Sequence, residues 1–346
     1  MNDPLRVAVV GLRGMGMAHA RSFAALPEFR VVAGCDLEPA RTAEFASSFP
    51  GAATYADYAR MLAAEKPGVV VVATNTVSHA RLTMEAVMAG ARGVMCEKPM
   101  AVGLGDAKAM VAACRERGTA LIVNHQRRTQ PVYTTMRKLA ESGAIGKVEL
   151  VRGSCAGDIL SDGTHTVDSI RHLAGDAGVK WVVGQVVRDR PDPAAPRGMG
   201  YDASGGWRYG HPIETGAFAL IEFATGLRAE LHTGSLQIKG RQYQDVEVFG
   251  SAGRLWRAGD QAGDVVLIQD GKAGGFRSCP LMDPPDPGFV YRQFARMILD
   301  GTGHPLNGGS ALADHEVVTA VYESARLRAR IDLPLAQDRY PLELMI

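Results

Sequence analysis

A two-domain α/β chain is predicted: a doubly wound parallel sheet over residues 1–123, then an α+β domain with a largely antiparallel open sheet over residues 124–346. Three observations carry this. The chain has 346 residues, more than one core usually fills. Short apolar runs alternate with helix-length segments as far as Val123. After Asn124 the strand-like runs follow one another through turns, and helical segments become sparse.

Each element of the first domain has a local reason. Residues 5–10 form a short apolar run ending in glycines, and a helical stretch over 15–26 follows. Residues 29–35 are the next run, and 39–49 read as helix, with Pro39 suited to a first helical turn. The run at 68–73 holds Val69, Val70, Val71 and Val72, the composition of a strand buried on both faces. A helix over 79–89 stops at Gly90. A strand over 93–96, a helix over 106–117 and a strand over 120–123 complete the alternation. Beyond it, 148–154, 181–187, 217–223, 228–233 and 245–249 read as strands, and 132–141, 165–173, 289–299 and 311–328 as helices. Residues 191–216, rich in Pro and Gly, read as a long loop or arm.

Composition narrows the function classes. Hydrophobic residues make up 46% and charged residues 22%, ordinary values for a globular protein. A net charge of +1 provides no basic field for nucleic acid or an anionic membrane. No apolar run approaches the ~18 residues of a membrane helix. The N-terminus has neither a basic start nor a small-residue cleavage site, so no signal peptide is expected. Five scattered cysteines (Cys35, Cys96, Cys114, Cys155, Cys279) form no C-x-x-C. Neither a disulfide framework nor a cysteine zinc site is expected, and a reducing cytoplasm fits. The expected partner is a small molecule.

Gly11-Leu12-Arg13-Gly14-Met15-Gly16 stands where the first strand turns into the first helix. In the G-x-G-x-x-G fingerprint the glycines permit a tight turn and close approach of backbone to pyrophosphate. Gly11 and Gly16 hold the outer positions, but Arg13 takes the middle one; Gly14 is the candidate to supply the missing freedom, and Arg13 to reach a phosphate. Asp36 ends the second run, 25 residues after Gly11, where a carboxylate accepts hydrogen bonds from the adenosine ribose. The alternative is an ordinary glycine turn. The strand before, the helix after and Asp36 beyond favour a dinucleotide-binding Rossmann domain. Asp36 would repel a 2′-phosphate, so NAD is expected rather than NADP, with Arg13 and Arg41 as the cations that could offset it.

Glu97-Lys98-Pro99 closes the strand at 93–96, at the carboxyl end where open α/β sheets bind ligands. Pro99 fixes the turn and holds Lys98 extended, aimed at the crevice. A surface lysine in a loop is the plain alternative.

With these residues the chain resembles the glucose–fructose oxidoreductase and inositol dehydrogenase (Gfo/Idh/MocA) family. The likeness runs over nearly the whole length: the glycine turn, Cys35-Asp36, the run ending in Ala73 with His79 after it, and Glu97-Lys98-Pro99. It continues through Arg127-Arg128, Pro131, Gly163-Thr164-His165-Thr166-Val167-Asp168 and Tyr322-Glu323-Ser324-Ala325. The resemblance implies an NAD(P)-dependent oxidoreductase, a homo-oligomer (dimer or tetramer), acting on a secondary hydroxyl or ketone of a sugar, inositol or related polyol. It places Met15, Thr74, Asn75, His79, Glu97 and Lys98 beside the cofactor with the glycine turn. It puts Lys98 and His165 on opposite sides of the substrate carbinol, with an aspartate nearby. Three departures stand out. Ser161 occupies the position of the usual aspartate, leaving Asp162 as the nearest carboxylate; Asn75 replaces a common proline; and Arg13 replaces the middle glycine.

The chemistry agrees with these roles. Alcohol oxidation needs a base for the hydroxyl proton while hydride leaves carbon, and histidine, with an ordinary pKa of ~6.5, suits it. A lysine can stabilise the alkoxide or relay the proton. His165 is the expected acid/base and Lys98 its electrostatic partner, with the reverse left open. Asp168 either orients His165 or caps backbone. His165, Asp168 and His172, at i, i+3 and i+7, are also a rival zinc set, though nothing completes it and no metal is expected. Arg127 and Arg128 follow the last strand of the first domain; one is expected to hold substrate or cofactor and the other an ion pair. Trp207, Arg208, Tyr209 and His211 form an aromatic, polar loop suited to a sugar face or to a neighbouring subunit. Two rival functions keep the fold: a glycosidase-like enzyme using NAD transiently, and a dinucleotide-sensing regulator, which would not need Lys98 and His165.

Overall fold

The computed structural model describes residues 3–188, 206–237, 243–257, 266–271 and 274–345. The chain runs through β1 (Leu5–Val10), α1 (Gly14–Ala24), β2 (Phe29–Cys35), α2 (Pro39–Ser48), β3 (Ala53–Tyr55) and α3 (Tyr58–Glu65). It continues with β4 (Val69–Val72), α4 (Thr76–Met88), β5 (Gly93–Cys96), α5 (Leu104–Arg117) and β6 (Ala120–Val123). The six strands pair in parallel in the order β3-β2-β1-β4-β5-β6, which reverses direction between β1 and β4. At such a reversal two adjacent crossovers leave on opposite faces and a crevice opens at the carboxyl ends.

Alternation along the strands explains the unbroken apolar runs. Val7 and Val9 of β1, with Val69 and Val71 of β4, join a core containing Phe23, Phe29 and Phe45. Ala8, Val10, Val70 and Val72 point the other way, into a core containing Met61, Met110 and Leu121. Helices cover both faces, so the central strand β4 is apolar at every position.

The second sheet follows α6 (Pro131–Glu141). Its elements are β7 (Val148–Cys155), a π-helical turn (Ile159–Gly163), α7 (Thr164–Leu173), β8 (Val179–Val187), β9 (Trp207–Arg208) and β10 (His211–Pro212). Then come β11 (Gly216–Phe223), β12 (Arg228–Gly234), β13 (Gln244–Gly250), β14 (Gly253–Arg257), β15 (Val266–Asp270) and β16 (Phe276–Cys279). The chain closes with α8 (Phe289–Asp300), α9 (Gly308–Leu327) and β17 (Ile331–Asp332). Nine strands form one sheet, β16-β15-β14-β13-β7-β12-β11-β8-β17, in which the β7–β12 pair is parallel and the other pairs antiparallel. β9 and β10 make a separate two-stranded ribbon inside the expected arm, whose residues 191–205 lie outside the described residues.

Two compact units result: Met1–Asn124 with Asp286–Leu312, and His125–Pro285 with Ala313–Ile346. The sequence pattern assigned 124–346 wholesale to the second domain, and the structure corrects this for residues 286–312. The reason is burial: Phe294, Ala295 and Leu306 complete the core of the first unit beside Leu5, Val7 and Ile122. Val123 N also donates to Leu306 O at 2.9 Å. Among the described residues no helix is long and apolar enough to cross a membrane.

Candidate active site

The glycine turn is shaped by backbone contact. Gly11 has φ +85°, and a Cβ on it would lie 2.4 Å from Ala73 O. A Cβ on Gly16 would lie 1.8 Å from Gly11 O, so both outer glycines are obligatory. At Gly14 a side chain would enter open space. α1 starts there, with no side-chain cap on its N–H groups from Arg13 and no acid in its first turn. Uncapped N–H groups facing open space fit a pyrophosphate. Met15, 45% exposed, lies on the same turn. Asp36 caps the turn from the side: Leu12 N donates to Oδ2 at 2.8 Å and Glu38 N to Oδ1 at 3.0 Å. Arg13 is committed elsewhere, 3.3 Å from Glu38 Oε2, and Arg41 Nε lies 3.6 Å from the same oxygen.

Thr74 and Asn75 follow β4 at its carboxyl end. The Thr74 hydroxyl lies 2.7 Å from Ser78 Oγ, and Asn75 O accepts from Ser78 Oγ at 2.8 Å. His79 is buried, with Nδ1 2.8 Å from Pro99 O and Nε2 2.9 Å from Thr74 O. Both ring nitrogens thus face carbonyls, and burial holds the imidazole below its ordinary pKa. His79 thus braces the loops after β4 and β5.

Lys98 is half-buried at the end of β5, and its peptide to Pro99 is cis. Glu97 beside it is buried and ionised. Burial alone would raise its pKa, but His19, Asn124 and Lys98 overcome that and take it down to about 2. His19 Nε2 and Asn124 Nδ2 both reach Oε1 at 2.7 Å, and Lys98 N donates to Oε2 at 3.2 Å. Sequence reading did not reach His19, Asn124 or Tyr291, whose hydroxyl is 3.0 Å from His19 Nδ1. Only Asn124, directly after a strand at the ligand edge, left a signal.

In the second unit the π-helical turn sets the stage for His165. Gly163 N reaches Asp158 O at 2.9 Å, five residues back, and Ser161 N donates to Asp158 Oδ1 at 2.7 Å. Ile159 N donates to Glu214 Oε1 at 2.6 Å, and the Tyr322 hydroxyl to Oε2 at 2.7 Å. Burial, then the Asp158 charge, pushes the Glu214 carboxyl up to about 7. Asp162 accepts from Arg208 Nη1 at 2.5 Å and from the Tyr243 hydroxyl at 2.5 Å, so it clamps those two groups. Asp158 accepts from Arg208 at 2.9 Å. Tyr209, at φ +50°, lies under the Arg208 guanidinium at 5.1 Å, with half-buried Trp207 on the same ribbon.

His165, in the first turn of α7, is buried and edge-on to His125 at 5.6 Å between ring centres. Asp168 accepts from Arg128 Nε at 2.7 Å, while Arg128 also reaches Asp176 at 3.0 Å. The pair expected of Arg127 and Arg128 thus divides: Arg128 is the ion-pair residue, and Arg127 lies 5.9 Å from the Tyr243 ring centre. Burial and the Asp314 charge push the Asp168 carboxyl well up. His125 Nδ1 is 3.5 Å from Asp314 Oδ2, and its Nε2 is 3.0 Å from the Thr164 hydroxyl.

The rival zinc set does not assemble. His172 Nδ1 is 3.1 Å from Arg137 Nη1, and burial with the Arg128 and Arg137 charges takes its pKa down to about 3. Among the described residues the three groups within ligand reach of one another are His125, Asp168 and Asp314. There Arg128 on Asp168 and Arg171 on Asp314, the latter at 2.5 Å, already balance both carboxylates.

A family model described as an oxidoreductase family with an NAD-binding Rossmann fold matches residues 5–125. D-apiose dehydrogenase of Paraburkholderia graminis is 32% identical over 174 residues, 50% of this chain and 46% of that one. The chain thus aligns with about half the length of that relative. Levoglucosan dehydrogenase of Pseudarthrobacter phenanthrenivorans is 26% identical over 290 residues, 72% of this chain and 73% of that one. Among solved structures, aldose-aldose oxidoreductase from Caulobacter crescentus, with glycerol, has TM-score 0.79 at 22% identity, covering 95% of this chain and 100% of that one. Residues 5–125 thus match the NAD-binding Rossmann unit of an oxidoreductase family, and the chain as a whole shares the fold of the Caulobacter enzyme.

Proposed function

We propose that this protein is an NAD-dependent dehydrogenase that moves hydride between nicotinamide and a secondary hydroxyl, or ketone, of a sugar, inositol or related polyol. The observation that carries the reading is Lys98, held at the carboxyl end of β5 by an ionised Glu97 in the sheet that bears the glycine turn. Relatives named as apiose and levoglucosan dehydrogenases supply the substrate class. NAD over NADP is supported by Asp36, and by Glu38, whose carboxylate holds Arg13 and Arg41, the two cations that could otherwise favour a 2′-phosphate.

Bound NAD supplies the hydride acceptor. His165 takes the hydroxyl proton, and the Lys98 ammonium stabilises the alkoxide that forms. Arg127, which follows the last strand of the first sheet and lies by the Tyr243 ring, binds substrate, and Arg128 holds Asp168. Asp162 and Asp168 act at one remove, the first by fixing Arg208 and Tyr243 and the second by fixing Arg128. Trp207 and Tyr209 present flat faces suited to the C–H side of a sugar ring. A cytoplasmic location is supported by five free thiols. A homo-oligomer is supported by Val183 and Val187 of β8, 40% and 42% exposed on the open sheet.

The test is NAD reduction by the purified protein with levoglucosan, D-apiose, myo-inositol and a range of glycosides and aldoses, followed by the absorbance of reduced nicotinamide. Reduction with at least one sugar is expected. Glycoside cleavage without net reduction would replace the reading with the transient-oxidation enzyme, and tight NAD binding with no turnover would replace it with a regulator.

A further inference from the structure

Glu97 carries a charge where burial disfavours one. The residue is 7% exposed, and a carboxylate so placed takes up a proton unless donors hold it ionised. Its three donors come from separate parts of the first unit: His19 from α1, Asn124 from the residue after β6, and the Lys98 amide itself. An ionised carboxylate only accepts, so His19 carries its hydrogen on Nε2. Its Nδ1 lies 3.0 Å from the Tyr291 hydroxyl of α8, a second contact that stops the ring from turning. His19 itself is 1% exposed. An imidazole fixed on both nitrogens therefore fixes one carboxylate oxygen, and the other oxygen holds the amide of Lys98. The first turn of α1, which forms the dinucleotide-type turn, is tied to Lys98 by the same helix one turn further on.

We infer that His19 is a positioning residue for Lys98, acting through the Glu97 carboxylate with Tyr291 behind it. This rests on the role proposed above for Lys98. Misplacement of a reacting group by about 1 Å costs on the order of 10²-fold in rate, whereas binding of NAD, which needs the glycine turn and Asp36, should be little altered.

The experiment measures kcat and KM with the best sugar of the panel, and NAD affinity by calorimetry, in His19→Leu, His19→Gln and Tyr291→Phe, each with and without Lys98→Ala. His19→Leu should lower kcat by about 10²-fold at nearly constant NAD affinity. His19→Gln, which restores a donor toward Glu97, should recover most of that loss. With Lys98→Ala already present, His19→Leu should cost nothing further, because the group it positions is gone. An equal loss with and without Lys98 would make His19 a packing residue and overturn the inference. So would a normal kcat in His19→Leu while Lys98→Ala is inactive, a result that leaves the Lys98 role intact. Full turnover in Lys98→Ala would overturn that role and the inference together. Should His19→Leu fail to fold, Tyr291→Phe removes a single oxygen from the same chain; its kcat should fall in a Lys98-dependent way, and a Lys98-independent or absent effect overturns the inference.

Discussion

Replacing Glu214 by glutamine should stabilise the protein at pH 8 and leave it nearly unchanged at pH 5. The Glu214 carboxyl sits near 7 in the folded chain against an ordinary 4.5, through burial first and the Asp158 charge second. The folded state therefore holds this proton more tightly than the unfolded chain, and folding is favoured by acid. The contribution is complete below about pH 4.5, where both states are protonated, and is lost as pH rises through about 7. With about 1.4 kcal/mol per pKa unit, the full span is roughly 3 kcal/mol, of which about 1.3 kcal/mol disappears between pH 6 and pH 8. Glutamine stays neutral, accepts from Ile159 N and can donate to the Tyr322 hydroxyl, so it keeps both contacts without the pH dependence. Urea unfolding of the two proteins at intervals from pH 5 to pH 8.5 reads this directly. The stability difference should move in favour of Glu214→Gln by about 2.5 kcal/mol across that range, or about 5 °C in Tm. Parallel curves would refute an uncharged Glu214 near neutrality.

Asp36→Ser should weaken NAD binding and raise relative affinity for NADP, seen by calorimetry; a wild type that already prefers NADP would refute the ribose argument. Lys98→Ala and His165→Ala should each lower kcat by ~10²–10⁴-fold at constant NAD affinity, and normal turnover in His165→Ala would leave Lys98 as the base. Arg128→Leu should destabilise by about 1–3 kcal/mol in denaturant, because Asp168, which is buried, and Asp176 both lose a donor, whereas no measurable effect would refute a structural role for Arg128. Light scattering should give a mass above the 36.9 kDa of one chain.

Most of the first sheet was legible because its central strands are buried on both faces. The ends of the strands at 29–35, 93–96 and 120–123 coincide with the structure. β3 and α3 escaped because Ala53–Tyr55 is three residues long and its helix is partly polar. β16 escaped for a related reason: it is a four-residue edge strand whose arginine and serine break the alternation. Site residues at strand ends were visible, since topology alone puts ligands there. Residues that act by touching another side chain were not. His19 lies 78 positions from Glu97, and Asp314 lies 143 from Arg171, and no local pattern joins them. The partners of Asp162, Arg208 and Tyr243, are likewise 46 and 81 positions away, beyond any local pattern.

The return of residues 286–312 to the first unit constrains how the chain can be made and cut. A ribosome that has released residues 1–124 has all six strands of that sheet but none of Phe294, Ala295 or Leu306. Until those emerge, the face of Val7, Val71 and Ile122 lacks part of its cover and is a surface for non-specific association. A fragment ending at residue 124 carries the same defect permanently. A usable nucleotide-binding fragment would have to carry 286–312 as well, joined by a short linker in place of 125–285, and the comparative solubility of the two fragments follows from that difference alone.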